Sequence, residues 1–281
     1  MDIETSSPRP LIEHVIEHLP GALKANVDIK NETGKGAINN LAFGAALAAQ
    51  TVEQMFNGGP EITERVLLAN KTIMALDEAI EQLDHLGEQR VNQIVQDIKK
   101  WWIKDTDKID IHPVIDELVL SMKREFRMQA EYRGNVTIPS IKDYLDAVVP
   151  SNGVQLLAAA YASISSEANF IQRKRFKDES WNANLELRIR SDWMKHTKDA
   201  AQAHLDLFYV AAHTYPGKSR GEVEELIRNY ARPTTPYPPE QVSNTSIFLR
   251  EYTKNAAQFM DKATPILHLI HPPGKHDPYR A

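Results

Sequence analysis

The sequence predicts an all-α bundle, and three observations carry that expectation. Apolar residues recur at helical spacing through most of the chain. Glycine, proline and N-capping residues break those runs at helix-length intervals. No convincing strand signal, internal repeat or low-complexity tract competes with this reading.

The totals fit one large helical domain. There are 281 residues, 42% hydrophobic and 25% charged, ordinary values for a soluble globular protein. A net charge of -5 argues against nucleic acid or an anionic membrane as the main partner. With no cysteine, disulfides and thiolate chemistry are excluded. The first residues lack the basic and apolar regions of a signal peptide, and no apolar stretch reaches the ~18 residues of a membrane span. The expected location is therefore cytoplasmic, with no membrane span.

Residues 1–36 read as an N-terminal segment and 37–281 as the α domain. Helices are expected from Asn39 to Phe56, stopped by Asn57-Gly58-Gly59-Pro60, and from Glu61 to Leu86, with Val66, Ile73 and Ile80 in phase. Val91 to Ile103 and Pro113 to Tyr132 follow, separated by a charged linker. Ser140 is placed as the N-cap of a helix through Tyr144 and Leu145. Val154 to Ile171 is Ala-rich and reads as buried. The long run from Trp181 to His213 contains no proline or glycine. Gly221 to Tyr230 is shorter, Arg232 to Pro239 is a proline-rich loop, and Ser246 to Ile270 is the last helix, interrupted near Pro265.

The chemistry-bearing stretch lies in the long run: Ser191-Asp192-Trp193-Met194-Lys195-His196-Thr197-Lys198-Asp199. On a continuous helix Ser191, Lys195 and Asp199 share one face, with Asp192 beside it. That face is either solvated or turned into a cavity. A second acidic group is Asp77, Glu78 and Glu81, where Asp77 and Glu81 are four apart and could share one ion. The alternative there is a solvated acidic face continuing through Asp84 and Glu88. No histidine pair has zinc-site spacing, so His196 and His204 read as structural or surface residues.

Residues 191–199 resemble the second metal motif of class I terpene synthases, most closely the trichodiene-synthase-like and bacterial branch. That motif is Asn-Asp-x-x-Ser-x-x-x-Glu, commonly with Lys before the Glu. Asp192, Lys198 and the final carboxylate Asp199 match; Ser191 replaces the Asn and Lys195 the Ser. Asp77 and Glu81 stand where the family carries its Asp-rich motif. The stretch from Glu131 to Gly153 is similar to the family's Pro-Ser opening, Tyr-Leu and helix break. Val148 or Val149 occupies the neighbourhood of the family's diphosphate-sensing Arg, and Asn152 stands where many bacterial members have Asp. Tyr279 matches the terminal Arg-Tyr pair, but Pro278 takes the place of its Arg, with Arg280 a substitute. The resemblance spans about residues 40–280.

The resemblance implies a terpene-synthase-like bundle with an apolar cavity for an isoprenoid or polyene-like substrate. It also implies that the three-Mg²⁺ trigger is damaged, since Lys195 puts an ammonium where a ligand oxygen should be. The leading expectation is a non-canonical cyclase-like enzyme, a lyase or isomerase of secondary metabolism, needing no cofactor. Lys195, Asp192, Asp199, Asp77 and Glu81 would be catalytic. Glu78, Asn152, Ser191, Trp193, Tyr144 and Tyr279 would contact substrate. Two alternatives stay open: a Mg²⁺-dependent cyclase, with Asp77 and Glu81 as metal ligands, and a catalytically inactive binding protein. A homodimer stays open as well.

Overall fold

A computed structural model describes residues 51, 60–102, 110–135, 137–164, 174–196, 205–234 and 242–270. All regular structure in them is helical, which bears out the all-α class. The chain divides into two compact units, residues 1–101 and 102–281. No helix among the described residues is long and apolar enough to cross a membrane.

In the first unit α1 spans Pro60–Glu81 and α2 spans Leu83–Lys100. Val66, Ala69, Leu76 and Ile80 are buried on α1; Val91, Val95 and Ile98, spaced four and three apart, are buried on α2. The two helices pack on one another. The single helix expected over Glu61 to Leu86 is therefore interrupted. Helix α1 stops at Glu81, and Gly87 inside α2 has φ 75° and ψ 157°. A side chain disfavours that conformation and glycine does not. The space beside its Cα is open, so the backbone alone demands glycine there.

The second unit contains α3 (His112–Asn135), α4 (Ile141–Val148), a 3₁₀ turn (Pro150–Asn152), α5 (Val154–Ile164), α6 (Lys174–Lys195), α7 (Leu207–Thr214), α8 (Arg220–Arg228) and α9 (Asn244–Ile270). Ser140 caps α4 as expected, accepting from Asp143 N at 3.2 Å. Ser219 and Glu222 form a capping box on α8. Gly153, at φ 75°, closes the 3₁₀ turn and lets the chain restart as α5. Helix α9 runs through Pro265 without a break, contrary to expectation. The missing N–H removes one rung five residues from the helix end, where few others depend on it.

Helix α6 is the hub. It packs against α5, α7, α8, α9 and the 3₁₀ turn. Its buried Trp181, Leu185 and Ile189, each four apart, join Tyr144, Leu145, Phe208 and Val210 in one apolar core. The sequence expectation of one helix from Trp181 to His213 is corrected here. Helix α6 ends at Lys195, His196 is non-helical, and a second helix begins at Leu207. Asp206 caps that second helix, its side chain accepting from Tyr209 N at 2.8 Å. A good N-cap starts a helix because it satisfies N–H groups the new helix leaves open.

Candidate functional site

Asp192 sits in the last turn of α6 and is only 4% exposed. Its Oδ2 accepts from the Tyr144 hydroxyl at 2.9 Å and from Leu207 N, at the start of α7, at 2.9 Å. Its Oδ1 accepts from Arg188 Nη1 at 3.3 Å, one turn back on the same helix. The carboxylate thus ties α4, α6 and the N-terminus of α7 together.

Arg188 extends the network to α3. Its Nη2 donates to Glu125 Oε2 at 3.0 Å, to the Val148 carbonyl at 3.0 Å and to Ser151 Oγ at 2.9 Å. Ser151 also donates to Glu125. Burial by itself would lower the arginine's pKa, but the charges of Glu125 and Asp192 outweigh it and raise it above the ordinary value. The guanidinium is therefore a fixed cation. Its Nε is buried and makes no hydrogen bond among the described residues. Burial, then the Asp192 charge, push the Tyr144 phenol well above its ordinary pKa. Tyr144 is a hydrogen-bond donor here, not a base near neutral pH.

A second buried pair closes the same end of α6. His196 Nδ1 lies 2.9 Å from Asp206 Oδ2, and the imidazole stacks on Trp193 at 5.5 Å between ring centres. Gln129 holds the chain before Asp206, donating to Leu205 O at 2.8 Å and accepting from Leu205 N at 2.9 Å. The imidazole is thus buried and held within the chain.

The structure brings together two of the sequence-selected residues, Tyr144 and Asp192. Trp193 is half-buried, with Arg220 over its ring at 4.3 Å, and Ser191 is half-buried too. Asn152, in the 3₁₀ turn, spends its amide donating to Asn184 O at 3.0 Å. Lys195 ends α6, and its side chain lies outside the described residues, as do Asp199 and Tyr279. The one-helix argument for a shared face of Ser191, Lys195 and Asp199 fails, because α6 stops at Lys195. In the first unit Asp77 and Glu81 are exposed near the end of α1, while half-buried Glu78 accepts from Gln82 at 2.8 Å. Among the described residues no three His, Asp or Glu side chains gather as a metal site would need.

Sequence reasoning missed Arg188, Glu125 and Ser151. The signal for Arg188 was present: an arginine between Leu187 and Ile189, four residues before Asp192. Glu125 and Ser151 carried none, since only the packing of α3 against the 3₁₀ turn brings them near.

One open concavity lies elsewhere in the second unit. It is a groove of about 270 Å³ between α3, the start of α5 and the first half of α6. It was not foreseen, because its walls come from segments far apart in sequence. No protein-family model matches the chain, and no curated protein matches it.

Proposed function

We propose that the chain is a terpene-cyclase-like protein that handles an isoprenoid or polyene-like substrate without metal-triggered loss of diphosphate. The observation that carries this reading is the state of Asp192. It matches the Asp of the family's second metal motif, beside the three ligand positions that fall on Ser191, Lys195 and Asp199, and its bonds go to Tyr144, Leu207 N and Arg188. A carboxylate bonded to a guanidinium and two neutral donors is not free to stand in as a Mg²⁺ ligand for the altered Ser191 and Lys195 positions, since the ion would have to displace all three. Arg188 also takes up the Val148 carbonyl, in the neighbourhood where the resemblance puts a phosphate-sensing arginine. In the second unit Asn152, Ser191 and Trp193 are the described candidates for substrate contact, with Lys195 and Asp199 the candidates for catalysis. Catalysis then rests on holding the substrate in a reactive shape, with Lys195 as the electrostatic or acid–base group.

The test is product analysis with farnesyl and geranylgeranyl diphosphate, in Mg²⁺ and in EDTA, alongside thermal melts. Mg²⁺ plus inorganic diphosphate is expected to leave the melting temperature nearly unchanged. A large saturable rise requiring both components, with a cyclised product, sinks the reading in favour of a Mg²⁺-dependent cyclase. Lys195→Met is expected to lower turnover of the native substrate by ~10²-fold or more with the fold intact. A second reading, an inactive binding protein, is favoured by one feature: Tyr144 and Asp192 are both consumed by internal bonds. Isoprenoid binding with no turnover under any condition would select it.

A further inference from the structure

The groove of about 270 Å³ has walls of two kinds. Val114, Leu118, Leu156 and Trp181 give it a buried apolar floor, and Leu120, 51% exposed, adds an apolar lip. Three cations stand around it, Arg124, Lys177 and Arg232, against one carboxylate, Glu117.

The charges are not all spent. Glu117 is taken up by Lys177 Nζ at 2.9 Å and by Gln155 Nε2 at 3.0 Å. Arg232 stands over the Trp181 ring at 4.3 Å and is 3.6 Å from Asp178. Arg124 is exposed and makes no ion pair among the described residues. The groove therefore keeps a positive excess. A buried amide lines it too: Asn184 is 1% exposed, and its Oδ1 accepts from Val154 N at 3.3 Å.

We propose that this groove is a binding site for a small organic anion, a carboxylate or phosphate carried on a short apolar body. The head pairs with Arg124 and Lys177 at the rim, and the body lies on Trp181, Leu118 and Leu156. The volume, near the lower end for ligand sites, suits a body the size of a single ring. The site is independent of the isoprenoid reading, because it uses none of the residues on which that reading rests.

Binding is followed by titrating the full chain with phenyl phosphate, benzoate, inorganic phosphate and benzylamine. The reporter is the Trp181 indole N–H in nitrogen–proton correlation spectra, assigned with Trp181→Phe. Phenyl phosphate or benzoate is expected to shift that signal saturably, and whichever binds tighter identifies the head group. Inorganic phosphate and benzylamine are expected to bind at least tenfold more weakly. Arg124→Gln and Lys177→Gln, both at exposed side chains, are expected to weaken the tighter anion tenfold or more. Lys142→Gln, an exposed cation outside the groove, should leave it unchanged. The proposal is overturned if neither anion shifts the signal below ~10 mM, if benzylamine or inorganic phosphate binds equally well, or if the two groove variants match Lys142→Gln.

Discussion

The two halves of α6 carry similar side chains and put them to opposite use. In the second half, Arg188 and Asp192 are enclosed by α3, α4 and α7, and the donors and acceptors around them are answered from within the chain, save Arg188 Nε. In the first half, Lys177 pairs with Glu117 of α3, about half exposed beside an open groove, whereas Arg175 and Glu179 of the same half are mostly buried. Charge and spacing do not separate the two regions. Burial does, because an enclosed charge must be matched by neighbours whereas an exposed one is matched by water. The enclosed half fixes how helices meet, and the open half is where a solute can enter.

The comparison is broken most severely by removing the guanidinium. Arg188→Met leaves Glu125 and Asp192 facing each other without a cation. It is expected to cost about 3–5 kcal/mol in urea unfolding, the scale for opening a buried pair from one side. A loss below about 1 kcal/mol would mean that water reaches the site and that the two halves are alike.

A smaller effect is expected at alkaline pH. Burial pushes the Tyr252 phenol, on α9, up to about 12. Burial and Tyr209 do the same for Tyr132, and a hydrogen bond to Tyr230 does so for Tyr215, each to about 12. The folded state then holds protons that the unfolded chain releases near its ordinary value of ~10. Stability from these groups is complete below pH ~10 and is lost as pH rises toward about 12. Tyr252 by itself contributes about 2–3 kcal/mol across that window. Tyrosinate absorbance combined with unfolding at pH 9, 10 and 11 checks it; constant stability over that range contradicts the burial.

Tyr144→Phe sharpens the picture further. It removes one of three donors to Asp192 and keeps the packing of the ring, so a loss of about 1–2 kcal/mol is expected. The smallest effect belongs to the open half. Glu117→Gln removes the Lys177 ion pair and should change stability by no more than about 1 kcal/mol, with the change shrinking in salt. If Glu117→Gln proved as damaging as Arg188→Met, the distinction between the halves would fall.

The sequence by itself determined the helical class, the Ser140 cap and the buried Ala-rich helix α5. Each of these is written in local spacing: a period near 3.6, an N-cap serine, an unbroken apolar run. It failed at Gln82, which interrupts the helix expected from Glu61 to Leu86, at Lys195, where the helix expected to run to His213 stops, and at Pro265, which does not break α9. Only the tertiary structure decided what Asp192 does. Its partners Tyr144 and Leu207 lie 48 and 15 residues away, and Glu125 lies 63 residues from the arginine that links them. Hydrogen bonds across such separations depend on how α3, α4 and α7 pack around α6, and no window of sequence contains that arrangement. The groove shares this origin: its floor and its cations come from three helices and the segment after α8, so neither its shape nor its charge exists until those elements meet.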